Sequence, residues 1–465
     1  MAEASAKFLT GSLFRHISVM SFTASIGLMA IFLVDFVDML FISMLGKEEL
    51  AAAIGYAGAI LFFTSSFGIG MAIACGALVA RANGAGDEEL AKQKATSSLI
   101  WGVVFASVFA ALVWINVPTL ARLVGASGAT LELATTYLRI IVPSLPLLMI
   151  GMMGGAILRA YGDARRSMMA TIVAGAVNAV LDPILIFGLD LELTGAAIAS
   201  VCSRVALAAV ALRPVILFHQ GLAKPTTACL ARDLSPLAII AFPAILTQLA
   251  TPVGQAYVTR AMAEFGEDAV AGMAIISRLV PVSFGILFAL SGAIGPIIGQ
   301  NYGAKQFDRV ERALKEGLLF AALVVVVVAG LLFLARGPIA DLFSATGVAR
   351  DLLFLFCGPL ALMWYFNGVI FVTNASFNNL GHPFYSTWVN WGRHTLGTIP
   401  FVILGAAWLG AEGVLIGQAV GGAIFAAVAV GLTLVVQRRA RAEAVDTSPP
   451  VERQMRLLRL FNHRY

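Results

Sequence analysis

Apolar runs long enough to cross a bilayer, about 20 residues each, recur from near residue 17 to residue 436. A chain written this way has to place its helices in lipid, and no stretch is left over for a soluble catalytic domain. The composition agrees: 59% of the 465 residues are hydrophobic and 12% charged, against roughly 25% charged in a soluble domain. The net charge of +5 is not a nucleic-acid patch, because the basic residues are scattered through short segments between spans. Lys7 and Arg15, Lys92 and Lys94, Arg165 and Arg166, Arg213, Lys224 and Arg232, Lys305, Arg309, Arg312 and Lys315, and Arg438, Arg439 and Arg441 mark every second connection. The intervening connections carry Lys47, Glu48 and Glu49, then Asp190 and Glu192, then Glu264, Glu267 and Asp268. By the positive-inside rule both termini are cytoplasmic, which requires an even number of spans.

The first span contains Asp35 and Asp38. It is too long and too polar for a removable signal core, so it reads as helix one. Cys75, Cys202, Cys229 and Cys357 have no paired metal spacing and read as packing residues.

A repeat with an offset of about 219 residues divides the chain in two. GKEELA from Gly46 pairs with GEDAVA from Gly266, and Asn83-Gly84-Ala85 with Tyr302-Gly303-Ala304. RAYGDAR from Arg159 pairs with NNLGHPF from Asn378, and Gly195 with Gly413. An offset of six helices keeps the two copies parallel, about an axis normal to the membrane and around a central cleft. Spans are expected near 17–45, 51–80, 96–117, 134–160, 167–188, 194–217, 236–263, 269–298, 316–336, 352–378, 385–408 and 412–436. The fold expected is therefore all-α and membrane-embedded, with twelve transmembrane helices in two six-helix lobes. The first lobe covers 1–218, a cytoplasmic linker 219–235, the second lobe 236–437 and a basic cytoplasmic tail 438–465, with an interfacial helix around Met455 to Phe461.

An ionisable group inside a spanning helix costs about 2.5–3.5 kcal/mol on insertion scales, which makes each one a candidate for function. Helix one holds Asp35 and Asp38 on one face, and helix five holds Asp182 with Asn178 one turn before it. At 1.5 Å per residue, Asp38, Asp182 and Ser200 of helix six all lie roughly 10 Å below the outer ends of their helices. Three polar groups at one depth in one lobe suggest a single site. Pro183 removes a hydrogen bond to the Ala179 carbonyl, which would suit a hard cation such as Na+ at Asp38, Asn178 and Asp182. Two close carboxyls would equally suit a proton. Either acid could instead be a structural hydrogen-bonding residue. The second lobe holds Gln248, Gln255, Tyr257, Asn367 and Asn374 but no mid-span carboxylate. These residues could line a substrate cleft or join helices, the commoner use. Arg204 and Arg278 are the intramembrane cations, and Arg204 could be a counter-ion or a packing and snorkelling residue.

No enzyme is expected. The segments ARANGAGDEELAKQ and GQNYGAKQFDRVERA are glycine-containing, but they lack a GK[ST] ending and follow membrane helices, which excludes a phosphate loop. There is no nucleophile elbow and no paired metal histidines, and His16, His219, His382, His394 and His463 are read at or near the cytoplasmic edge. No cofactor is expected, and energy must come from an H+ or Na+ gradient.

The stretches VDFVDMLFISMLGKEELAAAIG, LRAYGDARRSMM, GAVNAVLDPILIFG, TGAAIAS and GPIIGQNYGA resemble the multidrug and toxic compound extrusion (MATE) family, over residues 15 to about 435. Within it the chain resembles the DinF-like branch rather than the NorM-like one. On that resemblance Asp38 and Asp182 match the two ion-linked acids, Asn178 the amide before the second, and Ser200 a position where Thr is usual. Asp35 is extra to the pattern, so either acid of helix one can carry the ion. The resemblance implies a monomeric antiporter of the inner membrane, with lipid around it and no nucleic-acid partner. It would exchange small amphipathic or cationic organic compounds for H+ or Na+ by alternating access. The alternative it leaves open is a flippase for lipid-linked sugars, which would line the cleft with basic residues such as Arg204 and Arg278.

Overall fold

A computed structural model describes residues 6–445, apart from the side chains of Asp35, Ser43, Glu48 and residues 443–445. The proposed interfacial helix near Met455 to Phe461 lies outside the described residues. Among the described residues every regular element is a helix. The first lobe consists of α1 (Leu13–Met44), α2 (Glu48–Gly84), α3 (Glu88–Leu123), α4 (Gly128–Ala160), α5 (Ala164–Gly188) and α6 (Glu192–Leu217). The second begins with α7 (Thr227–Ala263), α8 (Glu267–Gly303), α9 (Phe307–Leu342) and α10 (Gly347–Asn379).

The last apolar stretch, Phe384–Ala442, is continuous by composition, yet it is two helices. Gly410 adopts φ 62° and ψ −139°, a conformation that side chains disfavour, and the chain reverses there. Gly413 then backs onto Gly405, Gly417 onto Phe401 and Gly421 onto Gly397, so closely that a Cβ at any of them would overlap the facing carbonyl. The eleven apolar stretches thus make twelve spanning helices, α11 over residues 384–409 and α12 over 411–445.

The distribution of side chains is that of a lipid-embedded protein. Small residues such as Ala53, Ala57, Ala74 and Ala80 are fully buried between helices, while Leu331, Leu334, Val326 and Val327 of α9 face outward. Lipid is as apolar as leucine, so close backbone approach rather than leucine burial holds such bundles together. The helices run further than hydropathy alone suggests. The turns of α3, α7 and α9 around Lys92, Arg232 and Arg309 extend beyond the apolar spans, and side-chain caps stop α3 and α7: Asp87 Oδ1 accepts from Leu90 N (2.9 Å) and Thr226 Oγ1 from Cys229 N (3.2 Å).

The two lobes meet at the face that carries the basic connections, and they do so symmetrically. A Cβ on Gly84 of α2 would overlap the Gln300 backbone of α8, and a Cβ on Gly303 of α8 would overlap the Arg81 backbone of α2. Both residues of each pair are related by the same sequence offset, so this is where the pseudo-twofold axis passes. Around it Arg81 Nη2 donates to Asn378 O (2.6 Å), Gln300 Nε2 to Ala160 O (2.7 Å) and Lys94 pairs with the buried Asp233 (2.7 Å). The segment before α1 acts as a strap across the same seam. Phe8, 1% exposed, donates its N–H to Gln300 Oε1 (2.9 Å), and its carbonyl accepts from Asn301 and Arg309 (3.2 and 2.9 Å), while Lys7 Nζ reaches Gly162 O in the first lobe (3.0 Å). The cleft is closed at this basic face.

Gly84→Val should weaken that closure. The added side chain cannot be accommodated by rotamer changes, because the obstacle is backbone. Spin labels placed on the basic ends of α2 and α8 should report a longer separation in the variant than in the native protein. An unchanged distance distribution would mean that the seam tolerates the valine and that the glycine contact does not set the closed state.

Candidate functional site

One turn separates Asn178 from Asp182 on α5, so both side chains leave the same face toward α1, and Asp38 of α1 meets them there. Asn178 Nδ2 donates to both Asp38 oxygens (3.1 Å each) and to Asp182 Oδ2 (2.5 Å). The two carboxyls are also within hydrogen-bonding reach of each other. Asp182 is 0% exposed, and its Oδ1 has no hydrogen-bond partner among the described residues. A single neutral amide with two N–H groups therefore stands between two acids. Two anionic carboxylates at that spacing repel each other strongly in a dry interior, so the arrangement is complete only with one more positive charge, a proton or a cation. Past Pro183 the last turn of α5, Ile184–Gly188, widens to a π-turn, which ends the span just above the pair.

Tyr137 of α4 and Ser200 of α6 form the next layer. Tyr137 is buried near Ser200, within electrostatic range of Arg204, Asp38 and Asp182. Tyr137 is a site residue that the sequence reading passed over. It lies nine residues into α4 as observed but only three past the start expected at 134, so the depth count from the sequence did not bring it to the level of Ser200.

Arg204 is bonded into the break in α4. Pro143 and Pro146 interrupt that helix at a 3-10 turn, Val142–Ser144. Arg204 Nη1 donates to Ile141 O (3.0 Å) and Ser144 Oγ (2.9 Å), and the Arg139 carbonyl, left open by Pro143, accepts from Trp114 Nε1 (3.1 Å). Of its two sequence-based roles, the geometry fits helix packing. Arg204→Leu should remove a charged donor from the Ile141 carbonyl and the Ser144 hydroxyl, at a cost of about 1.5–3 kcal/mol, and leave Ser144 Oγ (2.6 Å) as the donor to Ile141. Thermal unfolding in detergent should show the loss, with Asp182→Asn as a control that leaves the α4 break intact; equal midpoints for Arg204→Leu and the native protein would contradict this role.

The residues named for the second lobe do not form one cluster. Asn374 of α10 accepts from Asn390 Nδ2 of α11 (3.2 Å), an interhelical bond, and Arg278 of α8 is exposed. Gln248, Gln255, Tyr257 and Asn367 are half-buried, and no hydrogen bond joins them to one another among the described residues. The Asp35 side chain lies outside the described residues. One expectation is corrected: His394 is not at the cytoplasmic edge. It closes the first segment of α11, Phe384–His394, opposite Gly254 in the middle of α7, because α11 begins at Phe384 and has risen about 15 Å by then.

The MatE family signature matches residues 24–184 and again 243–404, so each lobe carries one copy at the offset seen in the sequence. The chain belongs to the MATE family. It is an integral membrane transporter and not an enzyme. It is 31% identical over 418 residues to a protein of Shewanella oneidensis named as an FAD transporter, covering 88% of this chain and 91% of that one. It is 25% identical over 346 residues to the multidrug export protein MepA of Staphylococcus aureus, covering 72% and 75% of the two chains. The fold superposes on the Vibrio cholerae MATE transporter VcmN with a TM-score of 0.86, at 25% identity and over 92% of this chain and 97% of that one. It superposes equally on an outward-facing MATE transporter, with a TM-score of 0.87 at 23% identity, over 94% and 99%.

Proposed function

We propose that this MATE transporter is a proton-coupled antiporter that exports amphipathic organic compounds across the inner membrane by alternating access. Asp38, Asn178 and Asp182 form its coupling site. The observation that carries this reading is the pair of carboxyls on α1 and α5 held to one shared amide. Two features favour the proton over Na+. The carboxyls are within hydrogen-bonding reach of each other, as a shared proton requires, and the fully buried Asp182 keeps one oxygen without a partner among the described residues, which can carry it. With the termini in the cytoplasm, the closed basic face makes this the outward-facing state, and the pair then lies roughly 10 Å below the outer surface.

In that state a proton from outside neutralises the pair, and the α1–α5 contact becomes a hydrogen bond instead of a repulsion. Substrate leaves as the lobe tightens. Once the cleft reopens to the cytoplasm, the proton departs and substrate reloads. Such coupling requires that proton and substrate each prefer a different state. Proteoliposomes with an imposed proton or sodium gradient test it. Efflux by the native protein should follow the proton gradient, and efflux that follows only sodium, or neither, would refute the assignment.

The substrate class has two readings. The likeness to MepA supports drugs. The likeness to the FAD transporter is higher and covers more of the chain, which supports a flat, phosphate-bearing compound of the FAD type. Arg204 is committed to the α4 break, which weakens the flippase alternative that called on it.

A further inference from the structure

The coupling site leaves two side chains of α11 unused, Arg393 and His394. Trp391 Nε1 donates to Leu246 O (2.9 Å), and a Cβ on Gly254 would overlap the His394 ring, so the pair stands level with residues 246–254 of α7, the middle of the membrane. Arg393 is half-buried, and no hydrogen bond or ion pair reaches its guanidinium among the described residues. His394 is 4% exposed, and neither ring nitrogen has a partner.

Among the described residues of the second lobe no carboxylate lies at this depth. Along α7 the nearest carboxylates are Asp233, already bonded to Lys94 and Arg232, and Glu264. At 1.5 Å per residue they lie about 20 Å below and about 15 Å above. The sequence offset maps the acidic site of the first lobe onto Tyr257, Gly397 and Phe401 in the second, none of which carries charge. A half-buried guanidinium with no partner is costly at mid-membrane. Its planar fork matches a carboxylate or phosphate.

We infer that Arg393, with His394 beside it, is an anion-binding subsite of the second lobe that takes the carboxylate or phosphate of an organic anion carried through the cleft. The inference rests on the transporter reading and deepens its substrate class. The first lobe then handles the coupling cation and the second the charged end of the cargo.

Carboxyfluorescein and rhodamine 6G share a xanthene ring system and differ in charge, so they separate recognition of charge from recognition of shape. Anisotropy titrations in phosphatidylcholine nanodiscs should show Arg393→Gln weakening carboxyfluorescein about tenfold, as loss of a charge-assisted bond predicts. Rhodamine 6G binding should change less than about twofold. Arg393→Lys, which keeps the charge, should recover most of the affinity. The inference is overturned if native protein binds carboxyfluorescein no better than Arg393→Gln does. Equal weakening of both dyes in a variant that stays monodisperse also overturns it. So does displacement of the dye by added phosphatidylglycerol, which would assign the subsite to a lipid headgroup. Binding needs no ion gradient, and repeating it with Asp182→Asn keeps failure of this subsite separate from failure of the coupling site.

Discussion

Efflux driven by a proton gradient should fall at least tenfold in Asp182→Asn protein, to the rate seen with no gradient imposed. Coupling free energies of about 1–3 kcal/mol correspond to roughly 5–150-fold effects, and this substitution removes the coupling outright. Asparagine is close to aspartate in size and can still meet Asn178, so the packing of α1 on α5 survives. What disappears is the fully buried negative charge that a proton would neutralise. Asp38→Asn should act in the same direction, since the Asn178 amide contacts both of its oxygens. Measurement of efflux with and without an imposed gradient separates lost coupling from lost substrate binding: a variant that binds substrate but no longer responds to the gradient fits, and one that still responds does not.

The second large effect concerns the strap before α1. Phe8→Ala should raise the population of the state open at the basic face on the order of 100-fold. Truncating a buried phenylalanine costs about 3–5 kcal/mol in protein cores, and 1.4 kcal/mol is a factor of ten. Phe8 is buried between Gln300, Asn301 and the Gly162 turn only while the lobes are together at that face, so the loss falls on one state of the equilibrium. Distance distributions between spin labels on the basic ends of α2 and α8 should shift toward the longer component. A distribution identical to the native one would show that the strap stays docked in both states, or contributes nothing to closure.

Hydropathy and loop charge were enough to read the helical lobes, because the bilayer forces long apolar runs and leaves punctuation only at their ends. The repeat was legible for a related reason. Gly84 and Gly303 are constrained by backbone contact across the pseudo-twofold axis, and Gly195 and Gly413 each back onto a carbonyl of the preceding helix. The depth of Asp38, Asn178 and Asp182 could be estimated from helix rise alone. What the sequence hides is direction and bending. The expected spans 385–408 and 412–436 place the reversal, but nothing in the composition singles out Gly410 as the residue that turns with a positive φ, since glycine occurs throughout the spans. Arg204 resembled a counter-ion because its distance from Ser200 was visible, while the position of its acceptors at Ile141 and Ser144 depends on how two prolines bend α4. Arg393 and His394 were legible by the same count, since the expected span start at 385 already puts them about 12–14 Å into the helix; the expectation of an edge position for His394 did not apply it.

The central claim is that binding of a cation at the α1–α5 acids and binding of substrate in the cleft oppose each other. Substrate affinity measured by calorimetry across a range of pH and sodium concentration tests it without any membrane potential. The native protein should lose affinity as protons are added, and the Asp182→Asn protein should bind with an affinity independent of pH. Native affinity that stays constant across both titrations would contradict the account.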